Sequence, residues 1–229
     1  MKRILDFVSR TRLLFLVGVL LVAGTGVATA TNEPGTILYS GRAIVLDTKA
    51  GILTSKTRVV LADTGEIDNT GATRETTVVD FENPPPIEVR SQTAHAIAGG
   101  ANGVSSANAV VERLNLKVGN LTLFAEAING FAMAECRLQS GTVHPAGSSH
   151  VTNLVINGRT IVRDMNKPNT SLAIPGVATI YFNHQTRPDV NTIHVNAIRV
   201  VVPGVPGVAT VTIDIGHAEA GIRTCAKLA

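Results

Sequence analysis

The chain has 229 residues, of which 45% are hydrophobic, 16% charged and only 3% aromatic, with no tryptophan and two cysteines. So much apolar material excludes a disordered chain. The formal net charge of +3 resides in the first thirty residues, where Lys2, Arg3, Arg10 and Arg12 outnumber Asp6, and the remainder is formally neutral; lacking a basic stripe or stacking platforms, it is not expected to bind nucleic acid.

Those thirty residues read as an export signal. The basic start is followed by the apolar run LLFLVGVLLVAG and a small-residue exit, Ala28-Thr29-Ala30, in the order of a secretory leader. Cleavage is expected after Ala30. A retained membrane anchor is the competing reading, but the run contains Gly and Thr and ends on an A-x-A site. No cysteine follows it, against a lipoprotein, and Thr11 separates Arg10 from Arg12, against a twin-arginine signal. Removing the leader leaves one expected domain, residues 31–229, with no membrane contact of its own; at about 199 residues it is long enough to bury about 70% of its unfolded surface.

From there the alternation has period two and β-branched residues fill it, which predicts strands. In chain order the segments begin TILYSGRAIVL, TRVVLAD, ETTVVDF and IEVRSQTAHAI, with the proline run of ENPPPIE breaking the sheet between the last two. GVSSANAVVERL leaves room for one helical turn. RLNLKV then sets Leu114, Leu116 and Val118 on one face against Arg113, Asn115 and Lys117 on the other, as strand geometry requires. After Gly119-Asn120 the apolar phase moves to Leu121, Leu123, Ala125 and Ala127, marking a turn or bulge. HVTNLVI and RTIVRD flank Asn157-Gly158, the firmest hairpin signal. VATIYFN runs into a polar loop, NHQTRPDVN, where proline is expected to stop the strand. NTIHVNAIRVVV and ATVTIDI follow, separated by VVPGVPGVA, read as a pair of turns or an extended edge. About ten short strands without helical spacers predict an all-β, antiparallel sandwich.

The two cysteines, Cys136 and Cys225, close the segments LTLFAEAINGFAMAEC and VTIDIGHAEAGIRTC. In an exported chain a disulfide is the expected use of such a pair, with two free thiols or a shared metal as the alternatives. They lie 89 positions apart, too far for a CxxC redox or zinc motif. Each is expected to end a strand, the two ends meeting at one end of the sandwich, and the closed loop to add about 4 to 5 kcal/mol on the chain-entropy account.

The segments YSGRAIVL, ADTGEID, AEAINGFAMAEC, GSSHVTNLVINGRTIV, TIYFN, NTIHVNAIRVVV and GHAEAGIRTC, in that order from Tyr39 to Cys225, resemble the choice-of-anchor P family of secreted bacterial surface domains. The resemblance implies an extracellular β-domain of unassigned activity with no catalytic residues to carry over. Such domains take their name from varied anchors, yet only AKLA follows Cys225 here; release, or non-covalent association with the envelope or with sister subunits, is the corresponding expectation.

Chemistry-bearing motifs are scarce. His95, His144, His150, His184, His194 and His217 form no HxH or HExxH pair. His184, Asp189 and His194 could meet across a hairpin, and Asp63, Glu66 and Asp68 of ADTGEIDN could offer oxygens to a hard cation, although an ordinary polar loop and an ordinary turn account for both. No nucleophile elbow, phosphate loop or dinucleotide fingerprint occurs. The expectation is a secreted or cell-surface structural or interaction protein without catalysis or cofactor, self-associating through sheet edges or joining the cell envelope. The alternatives are a wall-glycan or other surface ligand-binding module and, further off, an exported metal-dependent enzyme.

Overall fold

A computed structural model describes residues 36–52, 55–204 and 208–227; the expected leader, with Ala28 and Ala30 of its expected cleavage site, and part of VVPGVPGVA lie outside them. Within them the chain forms thirteen strands: β1 (Leu38–Ile52), β2 (Ser55–Asp63), β3 (Arg74–Asn83), β4 (Ile87–Ala101), β5 (Val104–Val118), β6 (Leu121–Arg137), β7 (Thr142–Thr152), β8 (Val155–Ile156), β9 (Arg159–Thr160), β10 (Thr170–Ile174), β11 (Ala178–Asp189), β12 (Thr192–Val202) and β13 (Val208–Thr224). They make two antiparallel sheets, β10-β11-β12-β13-β1-β2 and β3-β4-β5-β6-β8-β9, with β7 also paired to β6. This is the expected sandwich: β13 lies over β5 and β6, β1 over β4 and β5, and β12 over β6 and β7.

The turn chemistry places the hairpins as expected. Asn157 and Gly158 both take positive φ, 48° and 75°, joining β8 to β9 as an Asn-Gly turn does. Gly119, at φ 55°, turns β5 into β6, and the prolines separate β3 from β4. Three local expectations are corrected. The helical turn allowed in GVSSANAVVERL is strand, because Ala107, Ala109 and Val111 pack inward with period two. RTIVRD is strand only at Arg159–Thr160. NHQTRPDVN is not a loop: β11 runs to Asp189, and Pro188 is accommodated at a register shift between Thr186 and Asp189, where no ladder donor is required. There are thirteen strands rather than about ten because HVTNLVI is divided between β7 and β8 and because β10 (Thr170–Ile174) forms where no strand was expected, while β1, β4, β5, β6 and β13 are long.

The length of these strands comes with a feature that strict alternation hides. In β1 both Val45 and Leu46 point inward, as do Leu61-Ala62, Ile215-Gly216, Ala197-Ile198 and Phe182-Asn183 on the other strands. These doublets align: Phe182, Ile198, Ile215, Leu46 and Leu61 are successive cross-strand partners. Ala62, Gly216 and Asn183, in the next row, have φ of 47°, 63° and 45°. Each strand therefore reverses its facing at one line, creasing the whole sheet. The seven-stranded sheet has a matching crease through Val79, Thr93, Glu112, Ala127 and Thr152, with positive φ at Asp80, Arg113 and Asn153; here the doublets point outward, so the two layers bend together.

Asn and Asp tolerate the left-handed region, whereas arginine is strained there. Arg113→Gly is therefore expected to stabilise the fold by about 0.5 to 1 kcal/mol, whereas Glu112→Gly next to it costs a similar amount. Urea unfolding of the two variants checks the contrast.

Alanine and glycine fill much of the interface. Ala94, Ala96, Ala109, Ala132, Ala134, Ala197 and Ala218 are fully buried, and at Gly130 of β6 the ridge of the creased sheet reaches backbone: a Cβ there would stand 1.9 Å from the Gly216 carbonyl oxygen. At one lateral border β11 closes the β7 edge with side chains, Gln185 donating to the Gly147 carbonyl at 2.8 Å and Arg187 to that of Pro145 at 3.2 Å.

Candidate functional site: a polar valley and a disulfide lock

A crease whose doublets face the core draws together the outward side chains flanking it. On the outer face of the six-stranded sheet these are Ile44 and Asp47 of β1, Asp214 and His217 of β13, Asn196 and Arg199 of β12, and Tyr181 and His184 of β11. The Tyr181 and His184 rings meet edge to face, 5.7 Å apart. Outward residues of a solvent-facing sheet are ordinarily wet, yet Ile44, Asp47 and Asn196 are at most 5% exposed and Asp214 is 8% exposed. The result is a charged valley running across the strands.

Its charges are unevenly paired. Asp47 accepts two hydrogen bonds from Arg58, at 2.7 and 3.0 Å, and lies 3.4 Å from Lys49. Desolvation pushes the Asp47 pKa up most strongly of any single influence, but Arg58 and Lys49 together hold it below the ordinary range. Arg42 grips Asp63 in the same bidentate way. Asp214 sits directly opposite Asp47 in the ladder, is 3.6 Å from Arg199, and leaves Oδ1 buried without a hydrogen bond; burial raises its pKa. Two facing carboxylates are thus held apart in acidity by their surroundings.

The histidines gather on the other side of the crease. His217 Nδ1 is 2.7 Å from the Asn196 carboxamide oxygen, which can only accept, so Nδ1 carries the proton. Its ring packs edge to face on that of His194, 5.9 Å away. Desolvation, helped by the His194 charge, pushes the His217 pKa down to about 4. His194 lies 3.4 Å from Glu219, whose pKa is lowered mainly by that contact. The His184 pKa is lowered by desolvation and then by Arg199.

These shifts fix how acid acts on the fold. The unfolded chain binds a proton at His217 near pH 6.5 and the folded chain only near 4, so stability is complete above 6.5 and declines as pH falls towards 4. His184 adds in the same direction. Asp214 opposes them, because its raised pKa favours the folded state at low pH. Asp47, Asp63 and Glu219 withdraw stability as they protonate at still lower pH. His217→Gln is expected to remove up to about 3 kcal/mol of the loss between pH 6.5 and 4, read from urea unfolding at a series of pH values.

The expected disulfide is present: Cys136, at the end of β6, joins Cys225, just beyond β13, with Cα atoms 5.5 Å apart. It ties the two sheets at one end, as the sequence predicted. Around it the Cys136 amide donates to the Gly103 carbonyl at 2.7 Å and the Gly103 amide to the Tyr39 hydroxyl at 2.9 Å. The Tyr39 ring rests against Gly100, where a Cβ would lie 2.5 Å from Cγ.

The other sequence candidates do not come together. His184 faces Asn196 and His194 faces Thr186 across the hairpin, while Asp189 accepts from the Asn191 amide in the turn. In ADTGEIDN, Asp63 holds Arg42 and the Gly65 amide, and Asp68 holds Thr70, so both carboxylates serve the turn. No group of three or more metal-ligating side chains occurs among the described residues, nor does any helix there long and apolar enough to cross a membrane. Asp47, Asp214 and Glu219, which the sequence did not single out, form the valley with His217. Comparison with protein-family models, curated proteins and solved structures finds no match.

Proposed function

We propose that the chain is an exported structural and interaction protein of the bacterial cell surface, of the choice-of-anchor P type, acting by contact rather than by turnover. The observation that supports this reading is the Cys136–Cys225 disulfide, since such bonds persist in oxidising compartments and are rare in the cytosol. The small-residue interface and paired charges favour a rigid body over a catalytic cleft, and the leader supplies a route out of the cell. Expression of the full chain with a C-terminal tag in a bacterial host tests it: the reading expects mature protein outside the cytoplasm, beginning at Thr31 by N-terminal sequencing, with no titratable thiol. Full-length protein retained in the cytosol with two free thiols overturns it.

A further inference from the structure

We infer that the outer face of the seven-stranded sheet carries a saccharide-binding site centred on Phe124. The site extends the surface-interaction reading to a ligand, and only the place where the ligand is met rests on export. The short β8–β9 hairpin pairs with the start of β6 at Leu123 and Phe124 and is fixed there by the Asn157 side-chain oxygen, which accepts from the Thr122 amide at 2.8 Å. It walls a cleft of about 540 Å³ whose floor is β4, β5 and β6.

The floor is ordered. Phe124 lies opposite Asn115, and Asn115 opposite Arg90; in the next row Thr122 lies opposite Lys117, and Lys117 opposite Glu88. Phe124 is only partly buried although it points outward, so an apolar ring is offered at the cleft rather than to the core. The Asn115 side chain makes a single long contact, 3.4 Å to the Arg113 carbonyl, leaving its amide available to a ligand. Both cations are neutralised in place, Lys117 by Glu88 at 2.8 Å and Arg90 by Glu82 at 2.7 Å.

A net-neutral site rejects polyanions in favour of uncharged ligands. An apolar ring beside an amide and two ion pairs fits a ring with one aliphatic face and a rim of hydroxyls, which is a pyranose. The strand spacing of about 4.8 Å sets Phe124 and Arg90 about 10 Å apart, a span that one or two sugar units cover.

The experiment uses purified, disulfide-bonded protein in calorimetric titration against cellohexaose, laminarihexaose, xylohexaose and soluble uncross-linked peptidoglycan strands. Saturable binding to at least one probe is expected, weakened at least about tenfold by Phe124→Ala and by Asn115→Leu, with thermal midpoints near that of the parent. Phe131→Ala, on the same strand and face but outside this cleft, leaves the affinity unchanged. Absence of binding to all four probes overturns the assignment, as does binding indifferent to both cleft variants or dependent on Phe131 instead. Export and thiol content do not enter these outcomes, so this proposal and the export reading fail separately.

Discussion

Gly130→Ala is expected to destabilise the protein by about 3 kcal/mol or more. The new Cβ would stand 1.9 Å from the Gly216 carbonyl oxygen and 2.8 Å from its carbonyl carbon. Because the obstacle is backbone, no rotamer change can clear it, and either β6 or β13 must retreat. Retreat separates two sheets whose alanine-rich surfaces are in contact, so the loss spreads beyond one residue. Gly158→Ala is the control: its φ of 75° is also unfavourable to alanine, but nothing lies within 4 Å, and the cost is limited to about 1 kcal/mol of backbone strain. Equilibrium urea unfolding of both variants measures the difference; a Gly130→Ala cost below about 1 kcal/mol would show that the layers are free to part there.

Removing the disulfide is expected to cost a comparable amount. The Cys136→Ala/Cys225→Ala pair, which leaves no unpaired thiol, is expected to lose about 4 kcal/mol through the entropy returned to the unfolded chain. For a domain of this size that lowers the thermal midpoint by about 8 to 16 °C. The secondary structure should survive below the new midpoint, because β6 and β13 are central strands with neighbours on both sides. A midpoint within about 2 °C of the parent would mean that the unfolded chain was already constrained, or that the bond strains the native state by a similar amount.

The fold class was legible in the sequence because period-two patterning and turn residues act locally: RLNLKV states its own faces, and Asn157-Gly158 its own turn. The disulfide was legible from two cysteines in a chain whose first thirty residues read as an export signal. The valley was not, because it depends on places where alternation fails. Val45-Leu46, Ala197-Ile198 and Ile215-Gly216 are apolar doublets within otherwise alternating strands; each invites the reading of a lapse in a noisy pattern, and only cross-strand register shows that they form one line. Asp47 and Asp214 inherit their burial from that line, so nothing in their immediate neighbours announces it. The cleft at Phe124 was hidden for a related reason: its wall comes from β8 and β9, about thirty residues downstream of Phe124 and further still from the β4 and β5 parts of the floor.

The side chains laid along β7 bear on how the molecule behaves in a crowd. A β-rich protein at high local concentration risks zipping to its neighbours through open main-chain edges. Pro145 offers no amide, and its carbonyl and that of Gly147 are already occupied by Arg187 and Gln185. Left-handed residues distort β2 and β3 at Ala62 and Asp80, and β10 is only five residues long. Each of these borders thus discourages edge-to-edge pairing and fibril growth, which leaves the broad sheet faces, rather than these rims, as the more open ground among the described residues.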